Sequence, residues 1–171
     1  MSGSVSFYVP EQWGREKREQ IGGALRELNA KREDAAPTFA GASGLQPELS
    51  LLVQAATALV AAGFLTAMGE DIWKGLKAAI RKVSKIRPDT WGQDMPPEIT
   101  IGFPLQGVLI WGLEFQDLRA LLILPLEADQ VDQALDALPE AMDRAYAKAP
   151  IVGKSRQRFV RLHWDAGRWT G

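Results

Sequence analysis

LSLLVQAATALVAAGFLTAMG, residues Leu49 to Gly69, carries no formal charge, and EDIWKGLKAAIRKVSKIR, residues Glu70 to Arg87, follows it at once with charge on every turn. From Leu49 to Met68 the first stretch holds nine large apolar residues and six alanines, interrupted only by Ser50, Gln54, Thr57, Thr66 and Gly63. Alanine is the strongest helix former, so the composition predicts one long helix over Leu49 to Gly69, hidden from water. A helix of that length reaches across a bilayer. The central amide of Gln54 and the weakly apolar alanines make insertion marginal, which favours a helix buried against the protein's own sheet or between copies of the chain.

The second stretch changes period. Ile72, Trp73, Leu76, Ile80 and Val83 recur at three and four residues, while Lys74, Lys77, Arg81, Lys82 and Lys85 occupy the remaining surface. This is an amphipathic helix, with Glu70 and Asp71 in its first turn and cations toward its end, as the helix dipole prefers. Trp73 beside Lys74, Lys77, Arg81, Lys82 and Lys85 also has the make-up of an interfacial membrane helix or of a helix meeting an acidic partner, so these six form the candidate partner- or membrane-binding set. The competing expectation for Trp73 is a core anchor.

Beyond the helix pair the sequence turns to strands. Ile99, Ile101 and Phe103 alternate, Pro104 to Gly107 is turn chemistry, and Leu109, Trp111, Leu113 and Phe115 resume an alternating apolar face. Gln116-Asp117 turns into the nearly continuous apolar run Leu121 to Leu126, an interior strand of an antiparallel meander. Val131, Leu135, Leu138, Met142 and Ala145 define a helix over Asp129 to Ala149, with a kink expected at Pro139. Arg158 to Trp164 alternates again, and Asp165-Ala-Gly167 closes a terminal hairpin. On the amino side Val5, Phe7 and Val9 predict a first strand, Glu11 to Asn29 a helix carrying Trp13, Ile21, Leu25 and Leu28, and residues 30–48, rich in glycine, proline and small side chains, a flexible linker.

The whole predicts a single α+β domain over residues 1–171. It combines a mainly antiparallel sheet of five to six strands with a long buried alanine-rich helix, a basic amphipathic helix and a carboxy-terminal-half helix packed on it. With 46% hydrophobic and 24% charged residues among 171, the chain has the composition of a globular protein. A net charge of -1 supplies no global pull toward nucleic acid or anionic lipid, so nucleic acid is not expected as a partner. The absence of cysteine excludes disulfides, thiol catalysis and thiolate metal sites. The amino end has no secretory h-region, so the expected location is cytoplasmic, or peripheral to a membrane.

No chemical motif organises the polar residues. Gly153-Lys154-Ser155 lacks the earlier glycine of a phosphate loop and sits between a helix and a strand, the reverse of the order such a loop requires. His163, the single histidine, has Asp165 two residues on, but no serine stands in a nucleophile elbow; an enzyme using His163 ranks third among the readings. The glutamates of residues 11–27 alternate with arginine and lysine as on a solvated helix face. Lys154, Arg156, Arg158 and Arg161 form a second basic set without interleaved stacking aromatics. The expectation is therefore no catalytic residue, no metal and no cofactor.

The order of elements, a short first strand, a linker, the uncharged run Leu51-Leu-Val-Gln-Ala-Ala, the basic segment Trp73-Lys-Gly-Leu-Lys-Ala-Ala-Ile80 and then strands, resembles the small effector-associated constant components of bacterial conflict systems over residues 5–115. That resemblance implies a non-enzymatic adaptor or regulator encoded beside an effector, with a protein partner. The alternative is a membrane-active protein that inserts residues 49–69 and lays the basic helix on an anionic membrane surface.

Overall fold

A computed structural model describes residues 3–9, 14–34, 49–55, 57–59, 63–86, 108–125, 128–154 and 156–171. Among them the elements run β1 (Ser4–Tyr8), α1 (Gly14–Leu25), a 3-10 turn (Arg26–Leu28), β2 (Lys31–Arg32), β3 (Leu49–Gln54), α2 (Phe64–Met68), α3 (Glu70–Ser84), β4 (Val108–Glu114), β5 (Leu118–Pro125), α4 (Ala128–Lys148), β6 (Ile151–Val152), β7 (Gln157–Asp165) and β8 (Arg168–Thr170). The strands make one sheet in the order β2-β1-β3-β4-β5-β7-β6, with β8 also paired to β7.

The α+β class holds, but the sheet is mixed. β1 pairs β3 and β4 pairs β5 antiparallel, whereas β3 pairs β4, β5 pairs β7 and β1 pairs β2 in parallel. Parallel neighbours need a crossover, and the chain supplies one in each long case: the stretch containing α2 and α3 between β3 and β4, and α4 between β5 and β7. Antiparallel ladders, which also include β6 with β7 and β7 with β8, outnumber the parallel ones four to three among the described strands, so the expected mainly antiparallel sheet holds in part, with parallel ladders inside it and eight described strands against the five to six foreseen.

The largest correction falls on Leu49 to Gly69. This run is not one helix: Leu49–Gln54 is an interior strand and only Phe64–Met68 is helical before Gly69. Leu49, Leu51 and Val53 point into the core while Ser50, Leu52 and Gln54 take the opposite face, the two-residue alternation of a strand. Pairing with β1 on one side and β4 on the other outweighs the local alanine preference. Gly69, with φ 84°, then turns the chain from α2 into α3.

The helix over Glu70 to Arg87 appears as α3, ending at Ser84, and buries Trp73, Leu76, Ala79, Ile80 and Val83. The amino-terminal helix begins, among the described residues, at Gly14 and ends in the 3-10 turn and left-handed Asn29. Within the stretch expected as a linker, Lys31–Arg32 add a short parallel strand to β1; residues 35–48 lie outside the described residues, as does the predicted strand Ile99 to Phe103. The α4 helix runs unbroken through Pro139, and the terminal hairpin closes at Ala166-Gly167, both at positive φ.

Helices α1, α3 and α4 cover one face of the sheet. Cross-strand register places Phe7, Leu51, Trp111, Leu122 and Leu162 side by side on that face, and Ile21, Leu76, Ile80, Leu135 and Leu138 pack onto them in one cluster. On the opposite face, register aligns Ser4, Gln54, Glu114 and Arg119 across four strands. Their side chains are linked in that order: the Ser4 hydroxyl donates to Gln54 at 3.0 Å, the Gln54 amide donates to Glu114 at 2.9 Å, and Arg119 donates twice to the same carboxylate.

Candidate functional site

At the carboxy-terminal end of β3 the sheet, the 3-10 turn and the α2–α3 junction leave a cleft of about 450 Å³. Its floor comes from Ser4, Val5, Val53 and Gln54, one wall from Leu28 and Asn29, and the other from Thr66, Met68, Ile72 and Gly75. Gly75 lines the cleft without a side chain; a Cβ there would stand 3.5 Å from Leu28 Cδ2, in ordinary contact. Ile72 at the rim is 44% exposed, one of few large apolar side chains in the described residues left in water.

The charges in this lining, among the described residues, belong to two carboxylates. Glu27 is engaged with Lys82 at 2.8 Å, whereas Asp71 sits exposed in the first turn of α3. The Thr57 hydroxyl donates to the Ala67 carbonyl at 2.8 Å and is tied up in the wall. Among the described residues the surface therefore offers an apolar bed with a carboxylate at its edge for which no ion pair is found, suited to holding a group with an apolar body and a cationic end.

Of the six residues singled out in the sequence, Trp73 is buried and four of the five cations are ion-paired. Trp73 is 6% exposed; its indole stacks on Trp111 and meets Phe64 edge-on, the position of a core anchor. Lys74 pairs with Glu70, Lys77 with Asp136, Arg81 with Asp132 and Asp136, and Lys82 with Glu27. The cations of α3 join it to α4 on one side and to the 3-10 turn on the other. Lys85 stands exposed at the carboxy-terminal cap.

His163 lies exposed on the sheet face away from the helices, its Nε2 2.9 Å from the Thr170 hydroxyl across the terminal hairpin. Lys154, Arg156 and Arg161 are likewise exposed, while Arg158 lies over the ring of Tyr146 at 5.1 Å and donates to the Ala149 carbonyl. Among the described residues no three acidic or histidine side chains converge as a metal set, and no helix is long and apolar enough to cross a membrane.

A second polar cluster escaped the sequence reading. Asp117, in the β4–β5 turn, accepts hydrogen bonds from the Leu59 amide at 2.7 Å and from the Tyr146 hydroxyl at 2.7 Å. The hydrogen bond to Asp117, aided by burial and by the carboxylate's charge, raises the Tyr146 pKa above the usual phenol value, and Arg158 partly offsets the rise. Asp143 of α4 accepts from the Phe64 amide at 2.9 Å, capping α2 from another element. Only the turn signal at Gln116-Asp117 was visible in advance; the partners lie 29 to 79 residues away in sequence.

Comparison of the chain with protein-family models, with curated proteins and with solved structures gives no match.

Proposed function

We propose that this chain is a non-enzymatic protein–protein interaction module, an adaptor or regulator of a co-encoded effector, and that the cleft beside β3 receives a short apolar partner segment carrying a basic residue. The observation that carries this reading is the cleft's make-up: an apolar bed open at exposed Ile72, with Asp71 as a charge that has no ion pair among the described residues. Apolar area left in water at a concave surface favours association, and a carboxylate at the rim orients a cationic side chain. This reading places the contact at the cleft and not on the α3 surface.

Selection from random dodecapeptides displayed on phage tests the proposal. The intact chain is expected to enrich apolar sequences with a lysine or arginine, and Ile72→Lys or Gly75→Leu, which charge or fill the cleft, are expected to lose that enrichment. Equal enrichment by the wild type and both variants would place binding elsewhere.

A further inference from the structure

The net charge of -1 conceals an uneven distribution along the chain. Residues 148–171 hold six lysines and arginines against one aspartate, a net +5, so residues 1–147 carry a net -6. The fold leaves much of this positive charge open. Lys148, Lys154, Arg156, Arg161 and Arg168 are exposed, and among the described residues none of them has an ion pair. Cations elsewhere are largely engaged, as in the α3 pairs and at Arg15, Arg119 and Arg144.

Strand alternation sorts the residues of β7. Val160 and Leu162 enter the core cluster, so Phe159, Arg161 and His163 stand on the opposite face, away from the helices. Successive members of that row lie about 7 Å apart along the strand. Phe159 is half-buried and outside the core cluster, while Arg161 and His163 are exposed. The Thr170 hydroxyl of β8, 2.9 Å from His163 Nε2, steadies the imidazole. The row presents a phenyl, a guanidinium and an imidazole, three planar groups on which a nucleic-acid base can stack. In sequence Phe159 simply follows Arg158; the fold turns Arg158 away, over the Tyr146 ring, and gives Phe159 the same face as Arg161. Lys154 and Arg156 stand in the turn that leads into β7, and Arg168 lies across from Asp165, the acid at the far end of the row.

We infer that the outward face of β7 binds single-stranded nucleic acid, with bases stacking on Phe159, Arg161 and His163 and phosphates meeting Lys154, Arg156 and Arg168. Charge selects an anion: the net +5 of this end attracts it, and the net -6 of the remaining chain turns it away from other surfaces. Stacking then selects among anions. An acidic peptide has no π face to lay on Phe159, and a duplex keeps its bases stacked on one another. Strands β4 and β5 separate β7 from the β3 cleft, so this surface and the peptide cleft stand or fall independently.

Fluorescence anisotropy of the full chain with a labelled oligouridine of about twelve nucleotides tests the inference. Binding is expected at about 50 mM salt and is expected to weaken as salt rises, with a log–log slope of about -0.7 for each phosphate neutralised. Lys154→Gln is expected to flatten that slope by about 0.7. Phe159→Leu, which keeps apolar volume and loses the aromatic ring, is expected to weaken binding about 5-fold or more at an unchanged slope. Circular dichroism verifies that this variant is folded; should it unfold, His163→Ala, at an exposed position, supplies the same reading. Arg32→Gln, which removes an exposed cation on the strand at the opposite edge of the sheet, is expected to bind as the wild type does. Absence of binding at low salt would overturn the inference. So would a ring-removing variant that binds like the wild type, or a duplex that binds as tightly as the single strand. An oligoglutamate of equal charge that binds as tightly would assign the surface to an acidic protein partner and equally overturn it.

Discussion

The indole of Trp73 lies stacked on that of Trp111, with ring centroids 5.9 Å apart and planes 9° from parallel. The pair joins the middle helix of the covering layer to an interior strand, and Lys77 adds its ammonium 5.8 Å from the Trp73 ring. Trp111 Nε1 is buried and has no hydrogen-bond partner among the described residues, so the indole contributes here through its ring contacts.

Trp73→Ala is therefore a stability variant. Its unfolding free energy is expected to fall by about 3 to 5 kcal/mol, the usual cost of emptying a large aromatic site in a core. Chemical denaturation followed by circular dichroism measures it. A loss under about 1 kcal/mol would mean the indole is not the anchor that its burial implies.

The α3 charges act between elements, and their exposure sets their value. The Lys77 side chain is 20% exposed beside Asp136, whereas Lys74 and Glu70 are 73% and 76% exposed and 3.9 Å apart. A double-mutant cycle on Lys77 and Asp136 is expected to give a coupling of about 0.5 to 1 kcal/mol that shrinks with added salt, against about 0.3 kcal/mol or less for Lys74 and Glu70. Equal couplings would contradict the difference in burial.

What the sequence showed and what it hid divide along local against distant cause. The α3 and α4 periodicities and the Ala166-Gly167 hairpin are written in spacing and turn residues, and all three appear. Leu49 to Gln54 also alternates, with Ser50 and Gln54 on the second face, but six residues of strand signal ran straight into alanines that favour helix. The parallel pairing of β3 with β4 depends on where a crossover lands, which no window of sequence reports. Among the site residues, the buried position of Trp73 follows from its heptad-like spacing with Leu76, Ile80 and Val83. Apart from Glu70, which pairs with Lys74 one turn away, the acids that neutralise α3 lie 51 to 59 residues away in sequence, beyond any local pattern.

At the terminal hairpin, Ala166 holds φ 47° and Gly167 φ 79°. The left-handed region is strained for alanine and easy for asparagine or glycine, as a tight two-residue hairpin turn requires. Ala166→Asn is expected to raise stability by about 0.5 to 1 kcal/mol and Gly167→Ala to lower it by about 1 kcal/mol. Thermal unfolding of both variants checks the opposite signs; a destabilised Ala166→Asn would mean the hairpin closes in another way.

Tyr146 gives the fold an alkaline edge. Its hydroxyl donates to Asp117 at 2.7 Å, which favours the protonated phenol in the native state and raises its pKa above 10.0. The unfolded chain releases the proton first, so the stability from this contact is whole below pH 10.0 and is lost as the pH climbs through the raised native value. Tyr146→Phe removes the linkage. The variant is expected to be less stable at neutral pH, having stranded one Asp117 oxygen, yet to show a flatter decline above pH 10.0 than the wild type. Absorbance titration of tyrosinate at about 295 nm, compared between the two proteins, identifies the displaced phenol as the one the substitution removes. A parallel alkaline decline in both proteins would show that Tyr146 contributes nothing to it.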